Sequence, residues 1–207
     1  MQEELLPLFP LAAVLLPGSE LPLHIFEDRY KEMIGEALDH QSEFGVVLAA
    51  SGGIVAAGCT AGIEQVLQRY SDGRLDILTR GRRRFEIQSL NDTRAFLRAA
   101  VAYFDDEEPD APEPVRLQAV ECFARLRPHL DGEPPEMGAA EPELSFRLAH
   151  WIDDLDFRQQ LLVSRSERDR LRRVIDFIPT YIGRRLRTSH VRAVAPRNGH
   201  GTPPPAL

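Results

Sequence analysis

The sequence predicts an α+β fold in which a β-rich half is followed by a C-terminal helical bundle. Short apolar runs separated by turn residues continue to about Phe104, an acidic and proline-rich stretch then breaks this pattern, and helical periodicity governs the rest. At 207 residues the chain is long enough for one large domain or two small ones. We expect a β-rich subdomain at 1–104, a linker at 105–114, a helical bundle at 115–190 and a disordered tail at 191–207.

The first half alternates short strands with tight turns. Phe44–Leu48 is an apolar run typical of a buried strand, and Ser71–Gly73 is turn chemistry between strands predicted at Cys59–Tyr70 and Arg74–Thr79. Alternating apolar positions then predict a last strand at Leu97–Tyr103. Several short strands at this spacing indicate a small barrel or a highly curved sheet.

One helix interrupts these strands, between Glu27 and Asp39. Its apolar residues recur at intervals of three and four, which places them on one face of a helix. They are Tyr30, Met33, Ile34, Ala37 and Leu38. We expect this face to cap the open end of the barrel.

The stretch 105–114 is acidic and rich in proline, so we expect it to be an exposed and stiff connector. Ser166 is predicted to cap the last helix, and Pro179 to bend or stop it. The apolar stripes of the helices beyond the linker fall at Val120, Phe123, Ala124; Leu144, Leu148, Trp151, Ile152; Phe157, Leu161, Leu162; and Leu171, Val174, Ile175, Ile178.

Composition excludes several classes of protein. A net charge of -7 disfavours non-specific binding to nucleic acid or to an anionic membrane, because both need a cationic surface. Two cysteines cannot form a disulfide framework, which favours a reducing compartment. The apolar run Leu11–Leu16 is far shorter than a membrane span, and Glu3 and Glu4 stand where a signal peptide needs cations. We therefore expect a cytoplasmic protein.

The motifs that carry common enzyme chemistry are missing from the sequence. It contains no phosphate-binding loop, no G-x-S-x-G elbow, no C-x-x-C pair and no H-E-x-x-H. The six histidines have no metal-ligand spacing. We therefore expect no metal, no cofactor and no nucleotide site, and an enzyme remains only a third class of hypothesis.

One cationic cluster and several single residues invite a functional interpretation. The cluster consists of Arg82, Arg83 and Arg84, directly before Phe85. It has two interpretations: a loop that contacts phosphate, or a solvated turn whose arginines pair with carboxylates. The arginines between 165 and 187 are interpreted as the solvent-exposed face of an amphipathic helix.

Four further residues have reactive side chains but simpler structural explanations. His24 lacks a nucleophile in a recognised motif, so it is interpreted as a hydrogen-bonded structural histidine. Cys59 and Cys122 are interpreted as small buried hydrophobes, and Lys31 as a solvated side chain.

Three blocks near the start of the sequence carry a specific resemblance: Leu6–Leu11, Val14–Gly18 and Leu21–Tyr30. They closely resemble the opening signature of the Lon-protease N-terminal substrate-binding domain. The resemblance covers residues 5 to about 187 and continues, more weakly toward the end, through Phe44–Val47, Gly58–Ile63, Asp72–Phe85, Glu143–Ala149 and Arg158–Leu162. It implies a PUA-like β pseudo-barrel followed by a helical bundle, and a role in holding polypeptide substrates for an attached ATPase and protease.

The sequence departs from full-length Lon because it contains neither the ATPase nor the Ser-Lys protease domain. We therefore expect a stand-alone, non-catalytic module that binds unfolded or extended polypeptides, or a partner protein. Its aromatic candidates are Phe26, Phe146 and Trp151, at the seam between barrel and bundle. The alternative is an RNA-binding PUA-like module that uses the Arg82–Arg84 loop.

Overall fold

The computed structural model describes residues 5–194, and side-chain surroundings for residues 5–187. The described chain is a mixed α+β structure, which confirms the predicted fold class at this level. Its strands are β1 (Leu6–Leu11), β2 (Glu20–Ile25), β3 (Phe44–Ala50), β4 (Gly53–Arg69), β5 (Leu75–Asn91) and β6 (Arg98–Phe104). Its α-helices are α1 (Asp28–His40), α2 (Glu113–Leu126), α3 (Leu144–Ala149), α4 (Leu155–Val163) and α5 (Glu167–Val194).

The strands form one six-stranded sheet that closes on itself. β1 pairs in parallel with β3, and β3, β4, β5 and β6 follow as antiparallel neighbours. The ring closes because β6 also pairs with β1, where Leu6 lies opposite Ala99. Closure removes the unpaired edges of these five strands along most of their length.

β2 lies outside the ring and pairs only with the first part of β5 among the described strands. β5 is long enough to pair with β2 at its start and with β6 at its end. The β4–β5 ladder shifts register at three places, between Cys59 and Ala61, Ile63 and Gln65, and Val66 and Gln68. Such bulges bend and twist a strand pair, which lets these long strands curve around the barrel.

The barrel interior is filled by a small apolar cluster around Phe85, which is fully buried. Two glycines make room for its ring. A Cβ atom at Gly58 would lie 2.6 Å from Phe85 Cζ, and one at Gly45 would lie 2.7 Å from the same atom. The absence of side chains at these two positions therefore lets the strands approach the ring closely.

Helix α1 packs on the sheet through the predicted stripe. Tyr30, Met33, Ile34 and Ala37 are buried, whereas Leu38 is only partly buried at the margin of the core. The Phe9 ring of β1 contacts the Tyr30 ring, with centroids 4.1 Å apart. The periodic pattern of the sequence thus placed this helix and its buried face correctly.

The helical half shares its core with the sheet. One continuous cluster of buried side chains runs from Phe9 in β1 to Tyr181 in α5. The Gln159 Nε2 group of α4 also donates a hydrogen bond to the Ala57 carbonyl of β4, at 3.0 Å. The two halves are therefore joined by apolar packing as well as by polar contacts.

The stretch 105–114 is exposed at most positions, as its composition predicted, but it is not a free connector, because several of its groups are bonded to the helical half. The N–H groups of Glu107 and Glu108 donate to the Arg165 carbonyl, and the Glu167 N–H donates to the Glu108 carbonyl. Asp106 is only 13 % exposed. The segment is held because arginines from both halves pair with its carboxylates, a long-range effect that local composition does not report.

Element boundaries differ from the sequence-based expectations in several places. β4 begins at Gly53 rather than Cys59, and β5 continues to Asn91 instead of ending at Thr79. β1 was not predicted, because prolines interrupt its apolar pattern. Helix α2 begins at Glu113, inside the predicted linker, with Pro114 in its first turn, where a proline costs no helical hydrogen bond. Helix α5 continues through Pro179 and ends at Val194, so residues 191–194 belong to a helix, while the rest of the expected tail lies outside the described residues.

No helix in the described part of the chain combines the length and the apolar character needed to cross a membrane.

Candidate functional site

Phe26 is the most exposed large apolar side chain that the structure describes, with 59 % of its surface accessible. It follows β2 directly and precedes α1. Ile25 points into the core at 1 % exposure, so the alternation of the strand turns the next residue outward. Phe26 is thus presented on the surface by two regular elements rather than by a long loop.

A groove of about 300 Å³ lies beside Phe26, between β2 and the end of β1. Its walls are mostly apolar, although Glu27 and Arg29 stand at its margin and pair with each other at 2.7 Å. The lining residues from β1 are Phe9, Pro10 and Leu11, and those from β2 are Pro22, Leu23, His24 and Ile25. We call this the Phe26 groove.

His24 links the Phe26 groove to the outer face of the sheet. Its ring stacks on Phe26, with centroids 5.9 Å apart, and meets Tyr70 edge-on at the same distance. His24 Nδ1 lies 2.5 Å from Asp76 Oδ1, and the Tyr70 hydroxyl donates to Asp76 Oδ2 at 2.7 Å. The hydrogen bond from His24, followed by that from Tyr70, lowers the pKa of Asp76. His24 is therefore held in place by its hydrogen bond to Asp76, as predicted for a structural histidine.

A second cavity, of about 310 Å³, lies between the sheet and the helical half. Trp151 and Met137 give it an apolar wall, and Glu20 at the start of β2 lies on the opposite side. Its remaining lining residues are Pro17, Gly18, Ser19, Arg80, Pro135, Glu143, Arg147 and His150. We call it the Trp151 cleft, and it lies at the seam where the sequence placed an aromatic candidate.

Polar groups in the Trp151 cleft already have partners. Arg80 donates to the Gly18 carbonyl at 3.0 Å and to Glu20 at 2.6 Å, while Arg147 pairs with Glu141 at 3.3 Å. Burial, and then the charge of Arg158, lower the pKa of His150, which stands against the Trp151 ring. The cleft therefore offers apolar surface framed by ion pairs, and its named arginines are already matched by acids.

The three aromatic candidates do not come together, because Phe26 and Trp151 line different cavities and Phe146 lines neither. The Phe26 groove has no lining residue from the helical half, so the expected position of Phe26 at the seam is wrong. Phe146 is 1 % exposed and packs under two guanidinium groups, with Arg170 centred 4.2 Å and Arg84 5.4 Å from its ring. A side chain enclosed in this way cannot touch a ligand. The prediction for Phe146 is therefore wrong, whereas Phe26 and Trp151 both line cavities.

The arginines of the Arg82–Arg84 segment do not act as one cationic loop. Arg82 pairs with Glu64 at 2.5 Å, and Arg83 lies over the Tyr103 ring at 3.8 Å. Arg84 is 5 % exposed and points toward the helical half. Alternation along β5 turns Arg83 away from its two neighbours, and the register shift between Cys59 and Ala61 interrupts that alternation between Arg82 and Arg84. The segment therefore lacks the shared face that a phosphate-binding loop needs, and Arg84 is excluded as an anion contact.

A buried ionic network joins the two halves, and sequence reasoning missed it. Arg84 Nη2 donates to Asp106 Oδ1 at 2.5 Å, and Arg170 reaches both oxygens of the same carboxylate, at 2.6 and 2.5 Å. Arg170 also donates to Glu167, which accepts from the Ser145 hydroxyl at 2.6 Å. The side chains are saturated by these bonds, which marks the network as structural.

The spacing of Arg170 relative to apolar residues of α5 indicates that its side chain is buried. Arg170, Val174 and Ile178 recur every four residues, so they fall on one face of α5. That face is buried, and Arg170 is 0 % exposed. The reading of the arginines between 165 and 187 as a solvated surface is therefore wrong for this residue.

Within the residues whose side chains are described, no cluster of histidine, cysteine and acidic groups could hold a metal ion. Both cysteines are buried and free. Burial raises the pKa of the Cys59 thiol to about 12, so this group stays protonated and is a poor nucleophile at neutral pH. The chemistry available at the two cavities is apolar contact and hydrogen bonding.

Comparison with known proteins gives a consistent result. The family model of the ATP-dependent protease La (LON) substrate-binding domain matches residues 5–180. A Lon protease from Parabacteroides distasonis is 31 % identical over 114 residues, which are 51 % of this chain and 14 % of that protein. The chain therefore aligns with only a small part of the length of this relative.

Two solved structures resemble the fold. The crystal structure of a Lon N-terminal domain protein from Xanthomonas campestris has a TM-score of 0.68 and 28 % identity, covering 84 % of this chain and 98 % of that one. The N-terminal domain of Lon protease from the Mycobacterium avium complex has a TM-score of 0.60 and 20 % identity, covering 85 % and 98 %. The second likeness concerns the fold alone.

Proposed function

The chain belongs to the ATP-dependent protease La (LON) substrate-binding domain family, and from this premise we propose that it binds unfolded or extended polypeptides without acting on them chemically. Its role is then that of an adaptor or a chaperone-like binding protein, which presents a segment of its ligand to another protein. Binding needs no cofactor.

The exposure of Phe26 carries the proposal. Phe26 is an aromatic side chain that is 59 % exposed beside an apolar groove, and its contact with water is unfavourable. Covering it with a ligand removes apolar surface from water and therefore favours binding. The groove is about 300 Å³, which is room for one or two apolar side chains rather than for a folded domain. Exposed apolar side chains distinguish unfolded polypeptides from folded ones.

We further propose that the closed sheet is a PUA-like pseudo-barrel and that helices α2 to α5 form the C-terminal bundle of the family. The pairing of β6 with both β1 and β5 supports the barrel. β2, which directly precedes Phe26, is paired with β5 from Glu20 to Ile25, and this attachment to the closed sheet gives Phe26 a rigid platform that reduces the entropy lost on binding. Two buried, free cysteines suit a reducing compartment and support a cytoplasmic location.

The test is the binding of a permanently unfolded, carboxymethylated model protein, followed by fluorescence anisotropy. We expect a dissociation constant of about micromolar or weaker, as is typical of small interfaces. Phe26→Ala should weaken binding about tenfold, because about 1.4 kcal/mol of apolar contact is lost.

Leu90→Ala is the matched control. Leu90 is 54 % exposed and lies on β5, away from both cavities, so its removal should change the dissociation constant less than about twofold. Equal weakening by both variants would show that binding follows general surface hydrophobicity and not the Phe26 groove. Absence of binding by the folded protein at high micromolar concentration would remove the proposed function.

A further inference from the structure

We propose that a bound polypeptide adds to the sheet as an extra strand along the free edge of β2, and that its two ends reach the Phe26 groove and the Trp151 cleft. The inference rests on the proposed function and specifies how the same surface recognises its ligand. It connects two cavities that no sequence motif links.

β2 has one unpaired edge. Among the described strands its only neighbour is β5, with Glu20 opposite Arg80 at one end and Ile25 opposite Leu75 at the other. The other strands belong to the closed ring. An unpaired strand edge presents a row of backbone donors and acceptors that a second extended chain can satisfy.

The pairing with β5 determines which backbone groups of β2 lie at this edge. The Gly81 N–H donates to the Ser19 carbonyl at 2.9 Å, and the Thr79 hydroxyl donates to the Leu21 carbonyl at 2.8 Å. The carbonyls of residues 19 and 21 therefore face β5. Because successive residues of a strand direct their backbone groups to opposite sides, those of residues 20, 22 and 24 face the free edge.

The position of Pro22 agrees with this alternation of backbone groups along β2. It lies at an edge-facing position, where its missing N–H costs β2 no hydrogen bond to β5. The edge thus offers N–H groups from Glu20 and His24, and carbonyls from all three residues. It is interrupted by a single missing donor, which blunts the edge against indiscriminate pairing.

A cavity lies at each end of this edge. Glu20 lines the Trp151 cleft, and the residues from Pro22 to Phe26 line the Phe26 groove. Six residue steps separate Glu20 from Phe26, and an extended chain covers about 20 Å over that distance. One extended segment can therefore place a side chain in each cavity while its backbone follows β2.

The charges along the edge identify the occupant as an apolar segment. Glu20 is paired with Arg80 at 2.6 Å, and His24 is bonded to Asp76. Neither side chain presents an unmatched charge to a ligand. The segment that fits has apolar side chains about six positions apart and an intervening stretch able to adopt a β conformation.

The test uses synthetic peptides with phenylalanine at both ends and one, three, five or seven threonines between them. Anisotropy of a fluorescein label gives the affinity, and the fluorescence of Trp151, the only tryptophan, reports occupation of the cleft. We expect the five-threonine peptide to bind most tightly and to change the Trp151 emission. Its tighter binding should disappear in Trp151→Leu when read by the label.

Backbone methylation tests the strand directly. In the five-threonine peptide, N-methyl groups on one set of alternate residues remove the donors that face β2, whereas the same number on the other set face solvent. We expect the peptide whose methyl groups face β2 to bind about tenfold more weakly, and the peptide whose methyl groups face solvent to bind almost normally.

Two variants of the protein at position 24 test the same edge. His24→Pro removes both the backbone N–H at the edge and the imidazole ring, whereas His24→Ala removes only the ring. The proline variant should therefore bind the peptide more weakly than the alanine variant.

The outcomes separate the two proposals. If unfolded protein binds at the Phe26 groove but spacer length, methylation phase and the His24 pair make no difference, the strand addition is wrong and the proposed function remains. If neither the peptides nor unfolded protein bind to the folded chain, both are wrong.

Discussion

Arg82 and Arg84 are two residues apart on β5 and have opposite environments. Arg82 is on the surface and pairs with a partly exposed Glu64. Arg84 is buried, pairs with Asp106 and also donates to the carbonyls of Leu162 and Ser164, at 3.1 and 2.6 Å. An exposed ion pair contributes little to stability, but the loss of one partner from a buried pair leaves an uncompensated charge.

We therefore expect Arg84→Ala to lower the free energy of unfolding by about 3 kcal/mol or more, because Asp106 loses a partner and two carbonyls lose donors. Arg82→Ala should cost less than about 1 kcal/mol. Urea unfolding at neutral pH measures both. Similar losses for the two variants would contradict the assignment of Arg84 to a structural network.

Local alternation in the sequence can predict the exposure of a residue, but it did not predict the neighbours of Phe26, which lies away from the expected seam. Phe26 follows a strand and precedes a helix, so its position at an exposed junction can be derived from neighbouring residues. Phe146 lies on a short helix whose surroundings come from β5 and α5, and nothing nearby in the sequence predicts that Arg84 and Arg170 cover it. Long-range ion pairs are invisible to periodicity.

The segment 105–114 shows the same limit at the scale of an element. Its composition predicts a solvated connector, yet Asp106 anchors it between the sheet and helix α5. Burial raises the pKa of the Asp106 carboxyl, but the hydrogen bonds and charges of Arg170 and Arg84 outweigh burial, so its pKa lies below the ordinary value of 3.8. This acid favours the folded protein in its ionised form.

The sign of the pH effect follows from that direction. A carboxyl whose pKa is lower in the folded protein stabilises it above the unfolded pKa, and this stabilisation is lost as the pH falls through the folded pKa. We expect the free energy of unfolding to fall below about pH 4, and Asp106→Asn to be less stable at pH 7 but less sensitive to acid. Urea unfolding at several pH values between 7 and 3 measures the difference.

Asp105→Asn is the control for this experiment, because its side chain is exposed and adjacent. It should keep both the stability at pH 7 and the acid dependence of the natural protein. If Asp106→Asn and the natural protein lose stability in parallel as the pH falls, other carboxylates must be responsible for the acid sensitivity.

Elements with clear periodicity were predicted well. Helix α1 has an apolar face at intervals of three and four, and the Asp169 N–H donates to Ser166 at the start of α5, as the predicted cap requires. β1 was missed because Pro7 and Pro10 break its apolar pattern, although a parallel partner holds it in the sheet. β1 is a strand because it pairs with β3, which is distant in sequence, and the residues of β1 alone do not reveal that pairing.

At the scale of the whole molecule, the sheet and the helices share one large hydrophobic cluster, which is separate from the small cluster around Phe85 inside the barrel. The sequence suggested two subdomains joined by a linker, but the buried cluster is continuous from Phe9 to Tyr181. The network around Asp106 adds ionic contacts across the same junction. Neither half can expose its share of this core without a large cost in apolar hydration.

We therefore expect the chain to unfold in one cooperative transition, which two local probes can test. Trp151 reports the helical half by its fluorescence, and the thiol of Cys59 reports the sheet, because it is 0 % exposed until β4 opens. A Cys122→Ala background leaves Cys59 as the only thiol, and short pulses of maleimide measure its exposure across a urea series. The midpoints from the two probes should agree within about 0.2 M in a two-state transition. A Cys59 thiol that stays protected after the Trp151 signal has reached its unfolded value would show instead that the sheet folds as an independent domain.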